Sequence, residues 1–73
     1  MNEKYEVFDS CYGEIEGRCM KGAFLKLDNG ERAFAYKYSN LRTGTKVICT
    51  VLRQAKENRL KLVSVDTVTE YAA

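Results

Sequence analysis

Between residues 22 and 36 two runs of alternating polarity meet at a turn, and this hairpin limits the fold more than any other feature. The runs are Gly-Ala-Phe-Leu-Lys-Leu (22–27) and Glu-Arg-Ala-Phe-Ala-Tyr (31–36), joined by Asp28-Asn29-Gly30. A side-chain period of two belongs to a strand with one buried face. Asn and Gly tolerate the positive φ of a tight turn, so the two strands fold back on each other. Ala23, Leu25 and Leu27 then point inward while Phe24 and Lys26 point out. On the second run Ala33 and Ala35 share the inner face, and Arg32, Phe34 and Tyr36 share the outer one. Rings and cations are thereby sent to the same side of the hairpin.

The same period recurs along the chain, which contains no proline. A first strand is expected over residues 10–18, with Cys11, Gly13 and Ile15 inward and Tyr12, Glu14 and Glu16 outward. Tyr12, in an acidic row, is expected to pack. Gly13 and Gly17 let this strand coil or bulge, as a small closed barrel requires. The hairpin supplies the second strand (23–28) and the third (31–37). A fourth covers 45–53, with Val47, Cys49 and Val51 inward. A fifth covers 59–65, with Leu60 and Leu62 inward. Residues 38–43 form a polar connection closed by Gly44, and 54–58 a charged loop. Val7-Phe8 is expected to pack over the barrel's end, and the tail from Thr67 either extends the last strand or frays. Nothing reads as a helix longer than a turn, and there is no internal repeat.

Five short strands in 73 residues make one domain. A two-sheet sandwich needs about seven strands and roughly 100 residues. The expected fold is therefore all-β: a five-stranded antiparallel barrel of the oligonucleotide/oligosaccharide-binding type, which binds its ligand across strands 2 and 3. The barrel domain is placed at 10–66, between an N-terminal acidic extension (1–9) and a C-terminal tail (67–73). A chain this size buries only about 60% of its unfolded surface, which suits a binding face better than a deep catalytic pocket.

The net charge of +2 conceals a strong asymmetry. Residues 1–17 set Lys4 against Glu3, Glu6, Asp9, Glu14 and Glu16, a net of −4. Residues 18–61 carry eleven Lys or Arg against Asp28, Glu31 and Glu57, a net of +8, and Asp66 and Glu70 follow. A basic centre suits a partner bearing phosphates. The chain has no histidine, which removes the Ser-His and Cys-His nucleophile pairs and the usual general base near neutral pH. No phosphate-binding loop or dinucleotide fingerprint is present. An enzyme is not expected, and neither is a cofactor or metal. Cys11, Cys19 and Cys49 lack C-x-x-C spacing and read as reduced, apolar-contact thiols. Reduced thiols, a polar N-terminus and the lack of any apolar run near a membrane span point to a cytoplasmic protein away from membranes.

Several short motifs fall in an order that resembles a known family. Gly13-Glu14-Ile15, Gly22-Ala23-Phe24-Leu25, Gly44-Thr45-Lys46-Val47, Val51-Leu52 and Arg59-Leu60-Lys61-Leu62 follow the spacing of the ribosomal protein S-one type RNA-binding domain. The match spans roughly residues 11–64. The resemblance implies that Phe24 stacks on a base, that Tyr36 stands where the family has a strand-ending histidine, and that Arg59 is the arginine opening the last strand. It also shows departures: Lys21 replaces an aromatic residue and Ala55 an aspartate, and the segment between strands 3 and 4 is short. More distantly, Phe24-x-x-Leu27-x-Asn29-Gly30 is similar to the hairpin of bacterial translation initiation factor one, whose longer stretch after strand 3 is missing here.

Residues and resemblance together give a binding face for single-stranded RNA, with single-stranded DNA as the alternative strand. Phe24 and Tyr36 stack bases and Tyr38 assists. Lys21, Lys26, Arg32, Lys37 and Arg59 hold phosphates. Phe34 either joins the face or fills a core that Ala33 and Ala35 leave thin. Such a protein is expected to act as a monomer in translation or RNA metabolism. The rival expectation is an interaction module that docks on a ribosome, a polymerase or a nuclease through Glu3, Glu6, Asp9, Glu14 and Glu16.

Overall fold

The computed structural model describes residues 4–57 and 59–73. Glu3 of the acidic extension and Asn58 of the last loop lie outside these. Five strands form: β1 (Ser10–Cys19), β2 (Gly22–Leu27), β3 (Arg32–Tyr36), β4 (Lys46–Arg53) and β5 (Lys61–Glu70). They close into a barrel in the order β1-β2-β3-β5-β4. This all-β closed barrel is consistent with the oligonucleotide/oligosaccharide-binding type, with one correction. The pair β3–β5 is parallel and the other four pairs are antiparallel. A wholly antiparallel ring of five is geometrically impossible, because each antiparallel step reverses direction and an odd number of reversals cannot return to the start.

The predicted hairpin is present. Leu27 N–H donates to Glu31 O (2.8 Å) and Gly30 N–H to Leu27 O (2.9 Å). Gly30 takes φ +93°. Asn29 contributes differently from expectation: its side-chain oxygen accepts the Glu31 N–H at 3.0 Å, an Asx-type closure of the turn. At the other end of β2, Gly22 sits where an added Cβ would lie 2.1 Å from Ala35 O, so only glycine lets β2 and β3 approach there. The predicted irregularity in β1 falls between Ile15 and Gly17, where the pairing with β2 slips by one residue. This lets β1 turn from β4 to β2, as a closed barrel of few strands demands.

The core follows the predicted alternation on four strands. Cys11, Ile15, Ala23, Leu25, Leu27, Ala33, Ala35, Val47, Cys49 and Val51 are all buried. Each such Leu, Ile or Val contributes about 1.5–3 kcal/mol relative to exposure. Cys19, by contrast, is exposed at the end of β1, and Tyr12 is 59% exposed rather than packed.

On β5 the alternation is inverted. Lys61 and Val63 point inward, while Leu60 is exposed and Leu62 half-buried on the outside. A one-residue shift moves every side chain of a strand to its other face. The shift places a lysine in the barrel, and two partners, Glu31 and Tyr5, compensate it. Lys61 Nζ lies 3.0 Å from Glu31 Oε2, 3.1 Å from Glu31 Oε1 and 2.6 Å from Tyr5 O. Tyr5 N–H donates to Glu31 Oε1 at 2.9 Å, Gln54 Nε2 donates to Tyr5 O at 2.8 Å, and the Tyr5 hydroxyl bonds Asp28. Tyr5, packed against the core, is therefore the residue that covers this part of the barrel. Val7 and Phe8, expected in that role, are 39% and 78% exposed. β5 itself continues to Glu70, so residues 67–70 are strand.

Candidate nucleic-acid interface

Register places the rings. Phe24 pairs with Phe34 across β2–β3, Phe34 with Leu62 across β3–β5, and Leu62 with Arg53 across β5–β4. One outward row thus runs over four adjacent strands: Phe24, Phe34, Leu62, Arg53. On the far side of Phe24 the row meets Gly17, where an added Cβ would touch the phenyl ring at 3.9 Å. The ring thus lies in ordinary van der Waals reach of position 17. Tyr36 lies two residues along β3 from Phe34 and on the same face.

The rings pack edge to face. Phe24 and Phe34 have centroids 5.1 Å apart at 61°, and Phe34 and Tyr36 have centroids 4.9 Å apart at 85°. Such pairs contribute about 0.5–1.5 kcal/mol each beyond burial. Phe34 is the central ring and is half-buried, whereas Phe24 and Tyr36 are 39% and 51% exposed. Phe34 therefore does not fill the core but stands half-buried on the groove side of the sheet. It props the two outer rings apart.

These rings border a groove of about 360 Å³ shared with Arg53, Arg59, Leu60 and Leu62. Among the described residues no carboxylate lines it. A neighbouring depression of about 370 Å³ lies on the other flank of Phe24, lined by Glu16, Arg32 and Leu60 among others. Here Arg32 is engaged: its Nε is 3.7 Å from Glu16 Oε1. Lys26 borders a third, larger depression of about 560 Å³ together with Tyr12, Glu14, Glu16, Asp28 and Lys46. Charges there are mixed, with three carboxylates and two lysines.

Of the nine residues singled out from the sequence, Phe24, Phe34, Tyr36 and Arg59 are brought together in one groove. Lys21 and Lys37 are exposed at the end of the hairpin next to Tyr36, where Lys37 N–H donates to Lys21 O at 3.0 Å. Lys37 takes φ +77°, which ends β3 sharply. Lys26 and Arg32 lie on the same outer face but border the other two depressions. Tyr38 is not brought to the groove: its ring packs against the core and its hydroxyl donates to Val65 O at 3.1 Å. Sequence reasoning missed Arg53, Leu60 and Leu62. The leucines were assigned inward because a lysine between them was not expected to be the buried residue.

No family model matches this sequence, and no curated protein matches it. Among solved structures, the solution structure of GSP13 from Bacillus subtilis is similar to this chain, with a TM-score of 0.68, 26% sequence identity and coverage of 92% of this chain. The likeness covers 58% of GSP13, so this chain spans less than two thirds of that protein's length. The comparison supports the five-stranded barrel as a fold shared by two diverged sequences.

Proposed function

We propose that this protein binds single-stranded RNA across the outer face of β2 and β3. The observation that carries the reading is the groove itself: two exposed rings with a third between them, bordered by arginines and, among the described residues, by no carboxylate. A base stacked on an aromatic side chain contributes about 1–3 kcal/mol with little sequence preference. Two bases on Phe24 and Tyr36, with charge attraction from Arg59, Lys21 and Lys37, reach the roughly −8 kcal/mol of micromolar binding. Lys26 and Arg32 extend the positive flank, Arg32 with its charge partly spent on Glu16. The likeness to the S-one type domain supports the same face, and the barrel shared with GSP13 supports the fold that carries it. Binding of this kind needs no cofactor and no chemical step. The protein would work as a monomer in the cytoplasm, in translation or RNA metabolism.

Titration of labelled poly-U and poly-A strands at low salt tests the proposal, with single-stranded DNA as comparison. Saturable binding that weakens as salt rises is expected. Absence of binding to every strand would sink it.

One observation favours a second reading, a protein-docking role for the acidic N-terminal region. Phe8 stands 78% exposed at φ +73°, an unusual backbone for a bulky residue, between Glu6 and Asp9. If that reading is right, Phe8→Ala abolishes capture of a protein partner and leaves oligonucleotide titrations unchanged.

A further inference from the structure

We propose that the ring groove contains a phosphate subsite anchored by Arg53, so that it seats a nucleotide's base and phosphate together. This inference rests on the single-stranded RNA reading and names a residue that the reading does not otherwise use.

Three observations converge on Arg53. The first is register. Arg53 ends the row Phe24, Phe34, Leu62, Arg53. At about 4.8 Å per strand it lies roughly 10 Å across from Phe34. Both it and Arg59 border the groove that the three rings border. A base on the rings therefore has its sugar-phosphate directed over the leucines toward a guanidinium.

The second is charge. Arg32 is held by Glu16, Lys61 is held by Glu31, and Lys26 stands opposite Glu14 in the β1–β2 ladder. Among the described residues Arg53 and Arg59 have no carboxylate within ion-pair distance, and their groove contains none. The groove is thus a place on the barrel where two neighbouring cations go uncompensated by the protein itself.

The third is an orphan donor. Arg53 Nε is buried and has no hydrogen-bond partner among the described residues. A charged donor withdrawn from water without a partner is destabilising. A phosphate bound through the guanidinium fork would supply the missing charge compensation, and arginine's planar donors match phosphate oxygens in pairs. Leu60 and Leu62 flank the position and lower the local dielectric, which strengthens such a bond.

The test uses the intact protein and three probes: inorganic phosphate, uridine and uridine 5′-monophosphate. Arginine Nε–Hε and aromatic ring signals are followed together by nuclear magnetic resonance. Phosphate and the monophosphate are expected to shift the Arg53 and Arg59 side-chain signals, while uridine moves only the Phe24 and Tyr36 rings. The monophosphate should bind about tenfold more tightly than uridine, the effect of one charge-assisted contact. In Arg53→Gln that ratio should fall toward unity with uridine affinity kept, and Arg53→Lys should restore part of it. On a single-stranded oligonucleotide, Arg53→Gln should lower the salt slope by about 1, and Arg32→Gln by less.

Ring shifts with both uridine compounds but no Arg53 response, and no preference for the monophosphate, would overturn the subsite while leaving the stacking face intact. An Arg53 response to phosphate, with rings that stay silent toward both uridine and its monophosphate, would overturn the nucleotide assignment and the stacking face together. Backbone spectra of Arg53→Gln and Arg53→Lys that overlay on the parent keep a folding defect from being read as lost binding.

Discussion

Lys61 Nζ lies 3.0 Å from Glu31 Oε2, with the lysine side chain wholly sealed from solvent and the glutamate about one quarter exposed. The same ammonium bonds Tyr5 O, so strand β5, the β2–β3 turn and the N-terminal segment meet at one charge. A lone buried ammonium would be prohibitive, and the pair is tolerated because the ammonium is both ion-paired to Glu31 and hydrogen-bonded to Glu31 and Tyr5 O.

Breaking this pair from one side should therefore cost much more than removing it. Lys61→Met leaves Glu31 and Tyr5 O without their donor and is expected to destabilise the fold by about 3 kcal/mol. The double change Lys61→Met with Glu31→Leu should recover a substantial part of the loss. Urea midpoints of the parent, both single variants and the double variant decide this. Equal losses for Lys61→Met and the double variant would contradict it.

Acid should attack the same point. Burial raises the Glu31 carboxyl, but the bonds from Tyr5 N–H, Asn29 and Lys61, together with the lysine's charge, outweigh it and hold the group below its ordinary value. The unfolded chain then takes up this proton first as pH falls. The stabilisation is complete above the ordinary glutamate value of about 4.3 and is lost as pH drops through the lower folded value. Glu31→Gln should be less stable near neutrality and should show a flatter loss of stability below about pH 4.3. Urea midpoints across that range provide the check.

Gly22 is expected to be intolerant of any side chain. A Cβ there would sit 2.1 Å from Ala35 O and 2.9 Å from the Tyr36 Cα, against backbone that has no room to yield. Gly22→Ala should cost about 1–3 kcal/mol or more and displace Tyr36 from Phe34. Thermal melting reports the first effect, and loss of ring-current shifts on the Tyr36 protons reports the second.

The three thiols should behave as two classes. Burial pushes both Cys11 and Cys49 up, and their sulfurs lie 3.4 Å apart inside the barrel. Thiolate is the reactive form, so both should resist alkylation in the folded protein while exposed Cys19 reacts. Mass spectrometry after iodoacetamide should find one modification per native chain and three after unfolding. Rapid native labelling at Cys49 would argue against the closed barrel.

Among the rings, Phe24 and Phe34 should differ in kind. Phe24→Ala removes a stacking face and is expected to weaken single-stranded RNA binding by about 1–3 kcal/mol at every salt concentration. Phe34→Leu leaves both outer faces present but unpropped. It should weaken binding less, and leave the salt dependence as it was. Parallel fluorescence titrations over a range of salt separate these outcomes.

The hairpin, its turn and the outward placement of Phe24, Arg32 and Tyr36 were legible because each follows from a period of two with one thin, apolar inner face. The bulge was legible from Gly17. What was not legible follows from β5. Arg59-Leu60-Lys61-Leu62-Val63 offers two phases, and local hydropathy favours leucine over lysine for the interior. The actual phase is decided by Glu31 and Tyr5, which lie 30 and 56 residues away in the chain. With that phase misread, the leucines beside the rings and Arg53 at the row's end could not be placed. Tyr38 was misjudged for a related reason: its hydroxyl suggested a wet position, but Val65 O supplies a partner indoors.

The parallel joint between β3 and β5 holds over just two residue pairs, Ala33 with Lys61 and Phe34 with Leu62. It is the seam by which the cylinder is sewn shut, and one of its stitches also belongs to the row of rings. A strand of RNA lying from Phe24 toward Arg53 would cross that seam like a strap over a closing. On that reading occupancy and integrity of the cylinder would be tied: loosening the seam would scatter the rings, and a strand settled on the rings would tighten the seam.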